Sequence, residues 1–310
     1  MIEALQLPAQ ATYWFISGRL LFLILNLLGL ACFAYIVARR LTPLIRGQRD
    51  VRFDRQLVRL ERVLQFWLGQ WKHPRYRTAG VIHILVFGGF ILLATRAFSL
   101  LILGISENFA TPDSTGGLGH IYGMVADYAA TFVFACMVVA AVRRIVSRPA
   151  RYEVPAKYGK SHKVDAIFLL ALIAILMLSE SLFEASRAAF LAQHGQKEFL
   201  AVFSLAWTWQ NAVSSVSQSS LWNLHRSAYL LDVLTFYFLL CYRPFGIQFH
   251  VETSLFNVYF SKLDKGTVKP VRWGVGDEQL DQVKSFGVKK FEDFTWKHML
   301  DFYSLSLIHI

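Results

Sequence analysis

A chain of 310 residues that is 55% hydrophobic and 17% charged carries more apolar surface than an ordinary soluble domain can hide. Its net charge of +11 is gathered between apolar blocks, which argues for a polytopic membrane protein and against nucleic-acid binding. Cys32, Cys136 and Cys241 are the only cysteines; all lie inside apolar runs and form no CxxC pair, which excludes a disulfide framework.

In chain order the apolar blocks predict five membrane spans, at about 13–38, 79–103, 121–142, 164–183 and 224–248. The expected fold is an all-α bundle of five transmembrane helices with a short C-terminal tail. The first block is long enough to span and does not read as a cleavable signal. The segment from Arg39 to Arg77 holds eleven Lys or Arg against three acids, which places it in the cytosol by the positive-inside rule. Within it Phe53, Leu57, Leu60, Leu64 and Trp67 fall at helical spacing. They predict a helix lying on the inner membrane surface, with its arginines as a stripe facing the lipid leaflet. The connection before His120 has acids and no Lys or Arg, so it lies outside. The one between spans three and four, from Arg143 to Lys163, carries seven Lys or Arg and one acid, so it lies inside. Trp207, Trp209 and Trp222, before the fifth span, suit the outer interface. These charges put the N-terminus outside and the C-terminus in the cytosol of a prokaryotic inner membrane. Residues 1–260 read as the membrane domain and 261–304 as a charged linker, with a short amphipathic helix over Phe291–Tyr303. Leu305–Ile310, LSLIHI, read like a translated sequencing adaptor rather than native chain.

Four of the nine histidines stand at span boundaries. His83 and His250 fall near the inner face, His120 and His225 near the outer face. Neutral imidazole is an axial ligand of haem iron, and a bis-histidine haem needs two imidazoles at one depth on different helices. Solvated interfacial histidines are the plain alternative. Charged groups inside spans are costly and often functional. Arg96, Asp127, Glu180, Glu184, Arg187 and Asp232 all fall in the outer half of the bundle. Helix-to-helix pairing is one reading. A quinol site is the other, built from Glu180, Glu184, Asp232, Arg96 and Arg187, because quinol oxidation releases protons that a carboxylate can take. Gly88 and Gly89 suit close approach of a haem or of a neighbouring helix.

Three blocks carry a resemblance: GVIHILVFGGF at Gly80–Phe90, RPFGIQFHVETSLFNVYFSKL at Arg243–Leu263, and FEDFTWKHMLDFYS at Phe291–Ser304. Together they resemble the nitrate reductase gamma-subunit-like cytochrome b domain, a family that includes the membrane subunits of heterodisulfide reductases. In relatives where this domain is fused to an iron–sulfur module, a C-x-x-C-G-x-C motif follows the DFYS-like end. The resemblance implies a b haem held by His83 and His250. The family's outer ligands would fall on Leu93 and Asp232, neither of them an imidazole, so a second haem would need His120 and His225 in another register. The implied function is a membrane electron-transfer subunit between a quinone pool and a cytosolic iron–sulfur protein or domain. Its 4Fe-4S clusters would belong to the intact protein and not to this chain, and lipid would be the other partner. A non-redox transporter and a structural membrane anchor are the competing classes.

Overall fold

The computed structural model describes residues 7–75, 77–112, 116–147, 161–264, 277–282 and 290–308. The protein is an all-α membrane bundle. Five helices are long and apolar enough to cross a membrane: Gly18–Arg46, Arg77–Leu103, Gly116–Ser147, Val164–Gln193 and Gln218–Phe245. The chain divides into two compact units, Met1–Ala34 with Arg75–Tyr242, and Tyr35–Pro74 with Arg243–Ile310.

The first unit begins with a small hairpin, β1 (Thr12–Tyr13) paired antiparallel with β2 (Ile16–Ser17). Helix α1 (Gly18–Arg46) follows directly. Tyr13, where the sequence predicts the first span to begin, is therefore in the hairpin. Its ring meets Phe22 edge to face at 5.2 Å, and Phe22 meets Tyr229 in the same way at 4.7 Å. Glycine is required where the turn preceding the hairpin crosses the helix start: a Cβ on Gly18 would lie 2.0 Å from the Pro8 carbonyl oxygen.

Helices α3 (Arg77–Leu103), α4 (Gly116–Val142), α5 (Ser161–Gln193), α6 (Leu205–Val213) and α7 (Gln218–Tyr242) complete this unit. α5 is the central element. It packs on α4, α6 and α7, and 56% of its apolar window is buried against 6% for α1, whose leucines face outward as lipid requires. One apolar cluster joins α3, α4, α5 and α7 through Leu93, Val133, Leu169, Met177 and Leu239; a second gathers Tyr13, Phe22, Leu100, Phe183 and Tyr229. Gly89 resolves its two readings as helix packing, since a Cβ there would lie 2.3 Å from Val133 Cγ2; one on Gly88 would meet nothing within 4 Å. α5 continues ten residues past Phe183, the end expected from sequence. Glu184 is buried and Arg187 finds Glu198 at 2.8 Å, so neither charge ends the helix.

The second unit holds the last turns of α1, α2 (Gln56–Arg62) with a π-helical continuation over Val63–Leu68, α8 (His250–Tyr259) and α9 (Trp296–Ile308). The arginines of α2 do not form a leaflet-facing stripe. Arg59, 2% exposed, donates to the carbonyls of Tyr259 (2.9 Å) and Ser261 (3.0 Å), and Arg62 donates to those of Lys262 (2.7 Å) and Leu263 (2.9 Å). Helix ends leave carbonyls without internal donors, and guanidinium groups fill that need at the end of α8. The apolar face of the same segment is exposed, with Phe53 at 64% and Leu57 at 82%, as a membrane-surface helix requires. A short bridge pairs Gln48 with Thr295, and the Trp296 indole donates to the Asp50 carbonyl at 2.9 Å. The helix expected over Phe291–Tyr303 is a 3-10 turn at Phe291–Asp293 followed by α9. The side chains of 305–310, read as foreign sequence, lie outside the described residues.

Candidate functional site

Arg96 points from α3 into the interior of the first unit, 7% exposed. Its two terminal nitrogens both donate to Asp127 Oδ1 on α4, each at 3.0 Å, and Nη1 also reaches Glu180 Oε1 on α5 at 3.4 Å. Asp127 Oδ2 accepts the Ala201 amide at 3.1 Å. The connection between α5 and α6 is thereby tied down over the ion pair. Phe203 in that connection has φ 64°, and the next residue, Ser204, caps α6 by accepting from the Trp207 amide at 3.1 Å.

Next to Glu180 in the chain, Ser179 on α5 donates to Asp232 Oδ1 on α7 at 3.1 Å. Asp232 lies within electrostatic reach of Glu180 and Glu184. Glu180 and Glu184 are four residues apart on α5, hence on one face. Of the five residues read as a quinol site, the structure thus groups Arg96, Glu180, Glu184 and Asp232. Arg187 turns instead to Glu198. Asp127 stood among the intramembrane charges in the sequence but not in that set of five, and it is the main partner of Arg96. Ser179 carried no sequence signal, since a serine in an apolar helix is common and only its facing Asp232 gives it a role. Asp127, Glu180, Glu184 and Asp232 are all buried; two of these carboxyl groups, Asp127 and Glu180, meet the Arg96 guanidinium, and Asp232 lies beyond them on Ser179. An isolated ion in such a place is very costly, which explains why Asp127 and Glu180 are paired with Arg96 and Asp232 is hydrogen-bonded to Ser179.

The α5–α7 contact repeats this polar theme two turns further along. His225 is 3% exposed and stacks on Phe183 with 4.2 Å between ring centroids. Its Nδ1 lies 3.1 Å from the Phe183 carbonyl and 3.3 Å from Ser186 Oγ. A carbonyl only accepts, so Nδ1 bears the proton and Nε2 keeps its lone pair, the tautomer that a histidine ligand uses. Ser186 and Ser179 are seven residues apart, as are His225 and Asp232. A polar seam therefore runs about 10 Å along these antiparallel helices.

The other boundary histidines are scattered. His120 is exposed in the first turns of α4. His83 is half-buried on α3 in the first unit, and His250 is half-buried at the start of α8 in the second. Both present the donor chemistry that a b haem takes. Among the described residues no group of three or more metal-ligating side chains occurs, which two-ligand haem binding does not need.

With this geometry in hand, two relatives are informative. The chain is similar to a probable iron–sulfur-binding oxidoreductase, FadF, of Bacillus subtilis strain 168, 25% identical over 93% of this chain and 38% of the relative. It is also similar to an EtfAB:quinone oxidoreductase of Syntrophomonas wolfei subsp. wolfei, 22% identical over 76% of this chain and 32% of that relative. The chain spans about a third of the length of these curated relatives. No family model matches the chain, and no solved structure matches it.

Proposed function

We propose that this chain is the membrane part of a quinone-linked oxidoreductase and passes electrons between quinol and an iron–sulfur module. The observation that carries this reading is the buried group of Arg96, Asp127, Glu180, Glu184 and Asp232 inside a five-span bundle. The names of the two relatives support it, one for iron–sulfur binding and the other for quinone.

Quinol oxidation gives a quinone, two electrons and two protons. The protons need acceptors in a place that water does not reach. Glu180 and Asp232 are such groups, and Ser179 orients the Asp232 carboxyl through Oδ1. Arg96 anchors Asp127 and keeps a positive charge beside Glu180, which steadies that carboxyl in its charged form before the proton arrives. The b haem expected from the family resemblance supplies one-electron redox chemistry when bound. His83 and His250 are the residues proposed to hold it, and His225 with His120 are those proposed for a second. Arg187 is proposed only to support the α5 end through Glu198. The inner membrane of a prokaryote is the proposed location, and the loop charges support placing the iron–sulfur partner on the cytosolic side.

The test is reduction of the purified protein by a quinol analogue. Glu180→Gln and Asp232→Asn should each slow reduction while leaving haem content unchanged. Unchanged rates in both variants would remove these residues as proton acceptors. A protein that purifies without a Soret band would leave the transporter or anchor reading in its place.

A further inference from the structure

We propose that Arg39 and Arg46, at the end of α1, hold the phosphate of an anionic phospholipid. The two arginines are seven residues apart, so they stand two turns apart on one helix face. With Thr42, Pro43 and Phe291 they line an open cavity of about 240 Å³ in the second unit. Neither arginine has a hydrogen bond or ion pair among the described residues. The intervening Arg40 behaves differently. It turns the other way, its guanidinium 5.4 Å from the ring centroids of Phe249 and Tyr303, and the Tyr303 hydroxyl donates to its carbonyl at 2.6 Å. Two guanidinium groups are thus left facing one cavity.

The chain pattern sets the depth. From Leu20 to Ala38 no residue is charged, and at 1.5 Å per residue that run roughly fills a hydrocarbon core of about 30 Å. Arg39 to Arg46 then cover about 10 Å more, which passes through the headgroup layer of roughly 5–8 Å on that side. The exposed side chains of Ile45 (86%) and Phe291 (49%) offer apolar surface beside the charges. The end of a helix carries about half a negative charge, which an anion would avoid, but two full positive charges outweigh it. The Thr42 hydroxyl does not compete for phosphate, since it donates to the Ala38 carbonyl at 2.9 Å. Pro43 lacks an N–H, so it cannot satisfy the Arg39 carbonyl four residues back. That carbonyl is an acceptor for a headgroup hydroxyl. The chemistry therefore favours phosphatidylglycerol over a choline lipid, which has no net charge and no donor. Basic pockets beside spans are known places for anionic headgroups.

The experiment titrates the purified full chain, stripped of lipid in detergent, with dioctanoyl phosphatidylglycerol and follows binding by native mass spectrometry. The wild type should bind saturably. Arg39→Gln and Arg46→Gln should each weaken binding about fivefold, and the double variant about 25-fold. Arg49→Gln, which removes a neighbouring charge outside the cavity, should leave it unchanged. Arg39→Lys keeps the charge and checks that the helix end still folds; it should retain most of the binding. Equal losses from Arg49→Gln and Arg39→Gln would overturn the site in favour of diffuse charge. Equal binding of dioctanoyl phosphatidylcholine would overturn the need for an anion, and equal competition by inorganic phosphate would overturn a lipid as its source.

Discussion

The group around Arg96 is balanced residue by residue. Its two contacts to Asp127 and one to Glu180 take the place of water for three charged groups. Removing the cation while leaving the carboxylates buried should cost about 3–5 kcal/mol, the range for a broken buried pair. Arg96→Leu should accordingly lower the unfolding temperature in detergent well below that of Asp232→Asn, which keeps a hydrogen-bonding partner for Ser179. An Arg96→Leu protein as stable as wild type would mean that the pair is not formed. Gly104 is another point where one atom matters. A Cβ there would lie 2.5 Å from the Tyr229 hydroxyl and 2.8 Å from Phe22 Cβ. Gly104→Ala should therefore disturb the Tyr13–Phe22–Tyr229 stack and cost about 1–3 kcal/mol, as overpacking does, readable in the same melt.

Contacts between elements invite paired changes. α3 and α4 approach closely because Gly89 makes room for Val133. Gly89→Ala should destabilise the bundle, and adding Val133→Ala should recover most of the loss, a coupling expected of residues in direct contact. Additive losses would separate the two positions. In the second unit, α2 is clamped to the end of α8 by Arg59, and Asp54 holds that arginine at 2.5 Å. Hydrogen bonds from Arg59 and then Arg55 pull the Asp54 carboxyl down to about 2 from its ordinary 3.8. A carboxyl lowered in the folded state contributes stability that is complete above 3.8 and is lost as the pH falls through about 2. Protection factors for the amides of 56–62, which remove the intrinsic pH dependence of exchange, should therefore fall across that window in the wild type. In Asp54→Asn they should be low at all pH values, and wild-type protection indifferent to acid would rule out the Asp54 clamp.

For the whole molecule the haem proposal predicts a countable outcome. A pyridine haemochrome assay should find b haem in the purified chain. His83→Ala and His250→Ala should each abolish the same low-spin signal, because an axial pair fails when either ligand is lost. His225→Ala together with His120→Ala should remove a second haem where the assay finds two per chain. If His83→Ala keeps the full spectrum, that ligand assignment falls.

Hydropathy alone determined that this is a five-helix membrane protein, because an apolar block of about 20 residues has few other places to go. It also pointed to the ionisable residues of the first unit, since charges within such blocks stand out against their neighbours. Tertiary packing decided the rest. Which carboxylate meets Arg96 depends on how α3, α4 and α5 face one another, and no spacing within one helix records that. α5 runs on to Gln193 because partners across the fold neutralise or bury the charges that follow Phe183. The arginines from Arg39 onward looked alike as a string of positive charge. Packing sent Arg59 and Arg62 to the end of α8 and Arg40 against the rings of Phe249 and Tyr303, and left Arg39 and Arg46 facing a cavity. The physical reason is that net charge is additive along a chain, whereas hydrogen-bond partners are fixed only by contacts between residues as far apart as Arg59 and Tyr259.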